Sequence, residues 1–410
     1  MTSSDSWYES RYTGLFTAFS RLESRAHDPL VAMWAASLAP AGARHEVLHV
    51  GGAGLDEESA RLACVGEAIE RHHTAPLPRD LGVEASFEDW PLAEPAVDPA
   101  RWVLFSAEQY ELDGFPFRPF TRGTRCRWQA FRQAPTGRAL WVPEDLAYLH
   151  PRPGESHAIC AVTSTGLSAG REPDWVLRRG LQEVIERDAV LGAWWGRYPL
   201  EEHAQKAVFA ALPDETRSRF ERPNLDYRFY RVRSPFSEHV TIVTLGGEDS
   251  EGFVLSAGAA CRETLAASFA KATLEAVQGR HHARWVLGRG ERAPADRLPQ
   301  SFVEHALYYT HHPERLSHTV LARATRVESL PATVTEDSRV LVARLGADHP
   351  VLFRVATPPV ATGSGSLVLK VVVVGLQPLH GDHRLAHLGG PLWAPRRLAD
   401  FAETPPHPFA

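Results

Sequence analysis

The sequence predicts a mixed α/β (α+β) protein built as one large unit, and three observations carry that prediction. Short runs of β-branched and aromatic residues alternate with helix-length stretches of 3.6-residue periodicity. A module of glycine turn, helix and E-x-x-E-R occurs twice at one spacing, which implies a pseudo-symmetric core. The polar, proline-rich stretches between elements are too short to separate independent domains, so residues 1–410 are read as a single domain.

Taken in order, strand-like runs fall at 45–50, 102–105, 240–245 and 367–374. Helical periodicity is clearest over 57–73, 174–194 and 265–287. Stretches 75–101, 151–157, 288–299 and 357–365 read as loops. The apolar helical run 190–195 offers a face that a second copy of the chain could cover, which makes a homodimer an open expectation.

Bulk properties exclude several classes. The 410 residues are 44% hydrophobic and 23% charged, the balance of a globular protein with a substantial core. A net charge of −6 supplies no basic field for nucleic acid. No apolar run reaches the roughly 18 residues needed to span a bilayer, and the N-terminus lacks the basic-then-apolar pattern of a secretory signal. Cys64, Cys126, Cys160 and Cys261 are far apart in sequence and form no C-x-x-C pair. They read as small hydrophobes in a reducing compartment, and a cytoplasmic enzyme is the simplest expectation.

The repeat is the most informative feature. Val50-Gly-Gly-Ala-Gly54 leads to Gly66-Glu67-Ala-Ile-Glu70-Arg71, and Ser164-Thr-Gly-Leu-Ser-Ala-Gly170 leads to Gln182-Glu183-Val-Ile-Glu186-Arg187. Glu67 follows Gly54, and Glu183 follows Gly170, by the same 13 positions. A third related helix carries Leu274-Glu275-Ala-Val-Gln278-Gly-Arg280 behind an apolar, small-residue run over 254–260.

Residues three apart on a helix share a face, so Glu67 and Glu70 converge, as do Glu183 and Glu186. One E-x-x-E alone is ordinarily a solvated face. Here the glutamates flank apolar pairs, Ala68-Ile69 and Val184-Ile185, and the glycine spacing recurs. Four facing carboxylates repel unless a cation sits among them, and a hard, oxygen-seeking ion such as Mg2+ suits them. Arg71 and Arg187 would offset that charge or hold phosphate, while Gln278 and Arg280 add a neutral donor and a further cation. No phosphate-binding P-loop, convincing dinucleotide fingerprint or nucleophile elbow is present. The pairs His72-His73, His281-His282 and His311-His312 suggest a metal only superficially, because adjacent side chains on a helix point apart.

The two glycine–helix modules resemble the signature blocks of the YcaO family. The third helix is similar to its third block, and Lys370-Val-Val-Val-Val-Gly-Leu-Gln-Pro-Leu-His380 resembles a strand and turn of its azoline-forming members. Ser10-Arg-Tyr-Thr-Gly14 resembles their N-terminal phosphate-contacting segment, so the likeness runs from about residue 10 to the C-terminus. The resemblance implies ATP and Mg2+ as cofactors and phosphoryl transfer to an amide oxygen of a ribosomally made precursor peptide. In heterocyclising members a Cys, Ser or Thr side chain first attacks the preceding carbonyl, and loss of phosphate leaves a thiazoline or oxazoline.

Carried over residue by residue, Glu67, Glu70, Glu183 and Glu186 would hold the metal. Ser10, Arg11, Ser164, Arg187, Glu275, Gln278 and Arg280 would join Glu67 and Glu183 around the nucleotide. Glu70, Glu186, Arg187 and the terminal Ala410 would serve the chemistry. Ala410 enters through the tail at 404–410, which resembles the family's proline-rich P-x-P-x-P ending with alanine in the final place. A frayed polyproline-like end is the alternative reading of that tail, and the functional tail is the one favoured. Val374 stands where azoline-forming members usually have proline. With little sequence ahead of the first block, a separate leader-binding partner is expected, ThiF-like or bearing a winged helix. Two alternatives stay open: another branch of the family making macroamidines or thioamides, or a nucleotide-binding scaffold that no longer catalyses.

Overall fold

A computed structural model describes residues 15–25, 27–38, 48–72, 81–150, 158–249, 252–357 and 365–409. Ser10, Arg11 and Ala410 lie outside them. The first strands, β1 (Phe16–Leu22), β2 (Ala32–Leu38) and β3 (Leu48–Gly54), form an antiparallel three-stranded sheet. Next come β4 (Val83–Ala85), β5 (Cys126–Gln133), β6 (Ala139–Pro143) and β7 (Leu167–Gly170). Then follow β8 (Leu200–His203), β9 (Asp226–Val232), β10 (Val240–Asp249), β11 (Gly252–Cys261) and β12 (Thr325–Val327), and finally β13 (Val351–Val355) and β14 (Leu367–Val373). The order β11-β10-β9-β8-β12 makes a second sheet, and β4-β5-β13-β14-β7, with β6 paired to β5, makes a third.

Three helices bridge these sheets. Helix α1 (Glu57–His72) opens on Glu57 and Glu58 and closes on Arg71 and His72, charges that suit its dipole. Its buried stripe, Ala60, Cys64, Val65, Ala68 and Ile69, recurs at helical spacing and lies on β3. Helix α2 (Pro173–Trp194) starts where Glu172 accepts the Asp174 and Trp175 amides and Pro173 fills the first turn. It runs between β7 and β14 on one side and β10 and β11 on the other. Burial on so many sides accounts for its small residues and weak amphipathicity. Helix α3 (Leu265–Gly288), capped by Thr264, lies along β10 and β11 and reaches β3.

The repeat is real in three dimensions. Gly54 ends β3 three residues before α1, and Gly170 ends β7 three residues before α2. The run over 254–260 is β11, so the third helix also follows a strand.

Other expectations need correction. Residues 102–105 pair with no strand; Val103, Leu104 and Phe105 are buried in a loop, where Phe105 stacks on Phe117 and His387. Aromatic content there signalled burial, not a ladder. Strand β3 begins at Leu48 and continues through the glycines, whereas 45–47 lie outside the described residues. Val190, Leu191, Ala193, Trp194 and Trp195 are buried in the chain's own largest core cluster, so the run 190–195 offers no face to a second copy. The tail is not frayed: Pro406, His407, Pro408 and Phe409 are buried. Cys64, Cys160 and Cys261 are buried free thiols, and among the described residues no helix is long and apolar enough to cross a membrane.

Two glycines of the first module make opposite predictions. A Cβ on Gly52 would sit 2.3 Å from the Cys64 amide nitrogen and 2.4 Å from the Ala60 carbonyl, all backbone, whereas one on Gly66 meets nothing within 4 Å. Gly52→Ala should therefore cost about 2 kcal/mol or more through overpacking. Gly66→Ala, inside α1, should gain about 0.5–1 kcal/mol. Urea midpoints of the two variants should fall on opposite sides of the parent; a neutral Gly52→Ala would show that α1 does not rest on β3.

Candidate functional site

The site is assembled where α1, α2 and α3 approach one another over the glycine ends of β3 and β7. Glu67 and Arg71, four residues apart on α1, pair at 3.1 Å, and the other Glu67 oxygen accepts the Gly51 amide at 3.0 Å. In the second module Glu183 accepts the Gly166 amide at 3.3 Å. Glu70 crosses from one module to the other: its Oε1 accepts the Ala169 amide of β7 at 2.7 Å. A Cβ on Gly166, at φ +80°, would lie 2.0 Å from the Val371 carbonyl, so only glycine allows that turn to approach β14.

Electrostatics ties the four carboxylates together. Burial, then the neighbouring Glu183 charge, pushes Glu70 well above the ordinary carboxylate range. Burial raises Glu183, against the pull of Arg187 and Lys370. Burial also pushes Glu186 up to about 8, with Arg187 opposing and Glu275 reinforcing. Arg187 stands between its partners, 3.7 Å from Glu186 and 3.9 Å from Glu183, ion-pair distances beyond hydrogen-bond reach. One arginine does not neutralise this group. The donor set is oxygen-only and partly buried, and burial works against the charge of three of its carboxylates; those features fit a hard divalent cation.

The third helix contributes selectively. Gln278 reaches the first glycine turn, since its Nε2 would lie 2.9 Å from a Cβ on Gly51. Glu275 shares that face, pairs with Lys271 at 3.2 Å, and acts on both Glu186 and Arg187. Arg280 is not brought to the site. It is fully buried, donates to the Val254 carbonyl at 2.8 Å and to Gly247, and lies 3.5 Å from Asp28. Two residues along a helix is about 200° of rotation, which turns Arg280 away from the face that carries Gln278. Ser164 occupies the turn before β7, where its carbonyl accepts the Leu167 amide.

Two cations escaped the sequence reading. Lys370 donates to the Thr163 and Thr165 carbonyls at 2.9 and 2.8 Å, is pushed down to about 8 by burial, and acts on Glu183. Its signal was available: a lone lysine inside the valine-rich strand β14. Arg262, just after β11, acts on Glu186.

A sequence model of the family described as YcaO cyclodehydratase, ATP- and Mg2+-binding, matches residues 51–377. No curated protein matches the chain. Among solved structures it is similar to the YcaO of Methanopyrus kandleri bound with AMPPCP and Mg2+, at 19% identity and a TM-score of 0.59, over 88% of this chain and 86% of that one. It is also similar to a heterocyclase in complex with substrate and cofactor, at 18% identity and a TM-score of 0.67. That match covers 99% of this chain and 56% of the other, so the chain spans little more than half that protein's length. A chain of the E. coli microcin synthetase McbBCD complex is 14% identical, with a TM-score of 0.64 over 96% of each. At these identities the likeness to the solved structures is one of fold. The cofactors are ATP and Mg2+. Because the family's sequence model covers most of its length, including both glutamate helices, the chain belongs to the YcaO family.

Proposed function

We propose that the protein is a cyclodehydratase that phosphorylates backbone amide oxygens of a ribosomally made precursor peptide and leaves thiazoline or oxazoline rings. The observation that carries this reading is the convergence of Glu67, Glu70, Glu183 and Glu186 from the two repeated modules, with burial holding protons on carboxylates that a cation would displace. These four would hold Mg2+ together with phosphate oxygens. Bound there, the ion supplies charge neutralisation to the transferring phosphoryl group. Arg187 adds a cation beside the carboxylates, and Gln278 a neutral donor over the first glycine turn. Ser10, Arg11 and Ser164 complete the proposed nucleotide contacts.

The chemistry follows from leaving-group strength. A Cys, Ser or Thr side chain would lose its proton and add to the preceding carbonyl, and the resulting oxyanion would take the γ-phosphoryl group of ATP, with ADP as the leaving group. The oxygen would then depart as phosphate while the former amide nitrogen loses its proton and the ring C=N bond forms. The protein's own contribution is positioning and electrostatic stabilisation. We place the 1–410 chain in this role as one domain, with the tail at 404–410, Ala410 included, serving the chemistry. A leader-binding partner, ThiF-like or with a winged helix, belongs to the same proposal. Fold similarity to a chain of the multi-protein microcin synthetase and to a substrate-bound heterocyclase supports it.

The test is mass spectrometry of a candidate precursor rich in Cys, Ser and Thr after incubation with the chain, its partner, ATP and Mg2+. Loss of one water per modified residue, with phosphate released in step, is expected. Glu70→Gln and Glu186→Gln should each lower the rate by about a hundredfold or more. ATP turnover without water loss would move the chemistry to another branch of the family, and no turnover would leave a scaffold.

A second expectation concerns protons. A carboxyl raised to about 8, such as Glu186, keeps its proton in the folded chain and loses it in the unfolded one. Through this group the metal-free chain therefore loses stability as pH rises from the ordinary carboxylate range, near 4.5, toward 8. Binding of Mg2+ and ATP must expel that proton, so affinity should rise between pH 6.5 and 8.5, with about one or two protons released at pH 7. Titration calorimetry in buffers of differing ionisation enthalpy reads the count directly. Glu186→Gln should reduce it by about one; an unchanged count would mean that Glu186 is ionised before the metal arrives.

A further inference from the structure

A second group of metal-ligating side chains lies apart from the carboxylates. His305 projects from helix α4 (Phe302–His311), His380 follows β14, and His407 belongs to the C-terminal tail. All three are buried, with exposures of 0%, 4% and 1%, and one ring nitrogen from each lies within 4.8 Å of the others. Their hydrogen bonds fix two tautomers. His305 Nδ1 lies 2.7 Å from the His407 carbonyl, and His407 Nε2 lies 2.8 Å from the His380 carbonyl. A carbonyl only accepts, so both nitrogens carry hydrogen, and each ring keeps a lone pair on its other nitrogen.

His305 Nε2 and both nitrogens of His380 have no hydrogen-bond partner among the described residues. His407 Nδ1 receives only a long contact from the Phe409 amide at 3.3 Å. Unpaired buried nitrogens are costly, and nothing among the described residues relieves them. A neutral imidazole whose far N–H donates to a backbone carbonyl is the usual form of a metal-bound histidine. Burial also holds all three uncharged, His305 pushed down to about 4 and the other two well below the ordinary imidazole range.

We propose that His305, His380 and His407 form a binding site for a divalent transition-metal ion of the zinc class, which clamps the C-terminal tail to α4 and to the segment after β14. The donors are three nitrogens, as borderline-soft ions prefer, in contrast to the all-oxygen carboxylate group. Tetrahedral ligation places nitrogens roughly 3.4 Å apart, so the set must contract slightly. The rings of His305 and His407, stacked at 4.0 Å, must also open into a wedge. The fourth position falls to water or to His383, whose ring centroid is 5.8 Å from that of His380.

The test uses the full-length, untagged chain, stripped by chelator and titrated with Co2+ in excess Mg2+ without nucleotide. We expect one equivalent bound with the intense visible bands of a tetrahedral nitrogen site. His380→Ala and His407→Gln should lose those bands while circular dichroism is unchanged; Glu70→Gln and Glu186→Gln should keep them. Zn2+ should also slow removal of Phe409 by a serine carboxypeptidase on the order of tenfold in the parent and not in His407→Gln. Only faint octahedral bands in the parent would overturn the site, as would bands that survive His380→Ala or vanish with the glutamate variants. A digestion rate indifferent to Zn2+ would overturn the clamp.

Discussion

The structure is organised around one repulsion: four glutamates from two helices brought into a partly buried space that disfavours their charge. Left to themselves such groups would keep the helices apart or take up protons, and burial does push Glu70, Glu183 and Glu186 toward the protonated form. What holds them in place is backbone. Gly51, Ala169 and Gly166 each donate an amide to one of the carboxylates, so the strand ends define where the charges sit. The glycines serve that end, letting α1 lie directly on β3 and the turn before β7 lie directly on β14. The Glu70–Ala169 bond joins the two modules directly, where α1 packs against β7.

Around this group the cations are layered by reach. Arg71 and Arg187 lie on the same helices as the glutamates and move with them. Lys370 is fixed from a different element and spends its hydrogen bonds on the Thr163 and Thr165 carbonyls. Its charge therefore acts on Glu183 without closing a salt bridge, and it also ties the second glycine turn to β14. Removing it would loosen the turn as well as the field.

How much of this was legible in the sequence depends on whether the signal was periodic. The repeated glycine-to-glutamate spacing announced the two modules and their facing carboxylates, because helix geometry converts a spacing of three into a shared face. The same geometry, applied more strictly, separates Gln278 from Arg280; likeness of blocks grouped them, and Asp28, hundreds of residues away in sequence, claims the arginine. Lys370 and Arg262 act through space from strands and strand ends, where no local pattern points at a carboxylate. Residues 102–105 show the converse failure, with an apolar run buried by aromatic stacking rather than by a ladder. Nor could His305, His380 and His407 be grouped from sequence, since only the tail's return to α4 brings them together.

Helix α2 joins the two regions of interest. Arg187 and Trp194 are seven residues apart, about two turns, and so lie on nearly the same face. Trp194 Nε1 donates to the Pro405 carbonyl at 2.7 Å, and Tyr309 donates to Pro406 at 2.7 Å, which lays the tail along that face. The Arg187 charge is felt at His407, so the tail is within electrostatic reach of the carboxylate group. A buried 22-residue helix packed on both sides does not bend readily. Any force that moves the tail must therefore either break the Trp194 contact or shift α2 as a body, carrying Glu183 and Glu186 with it. The proline-rich ending thus shares a direct hydrogen bond with the helix that carries Glu183 and Glu186.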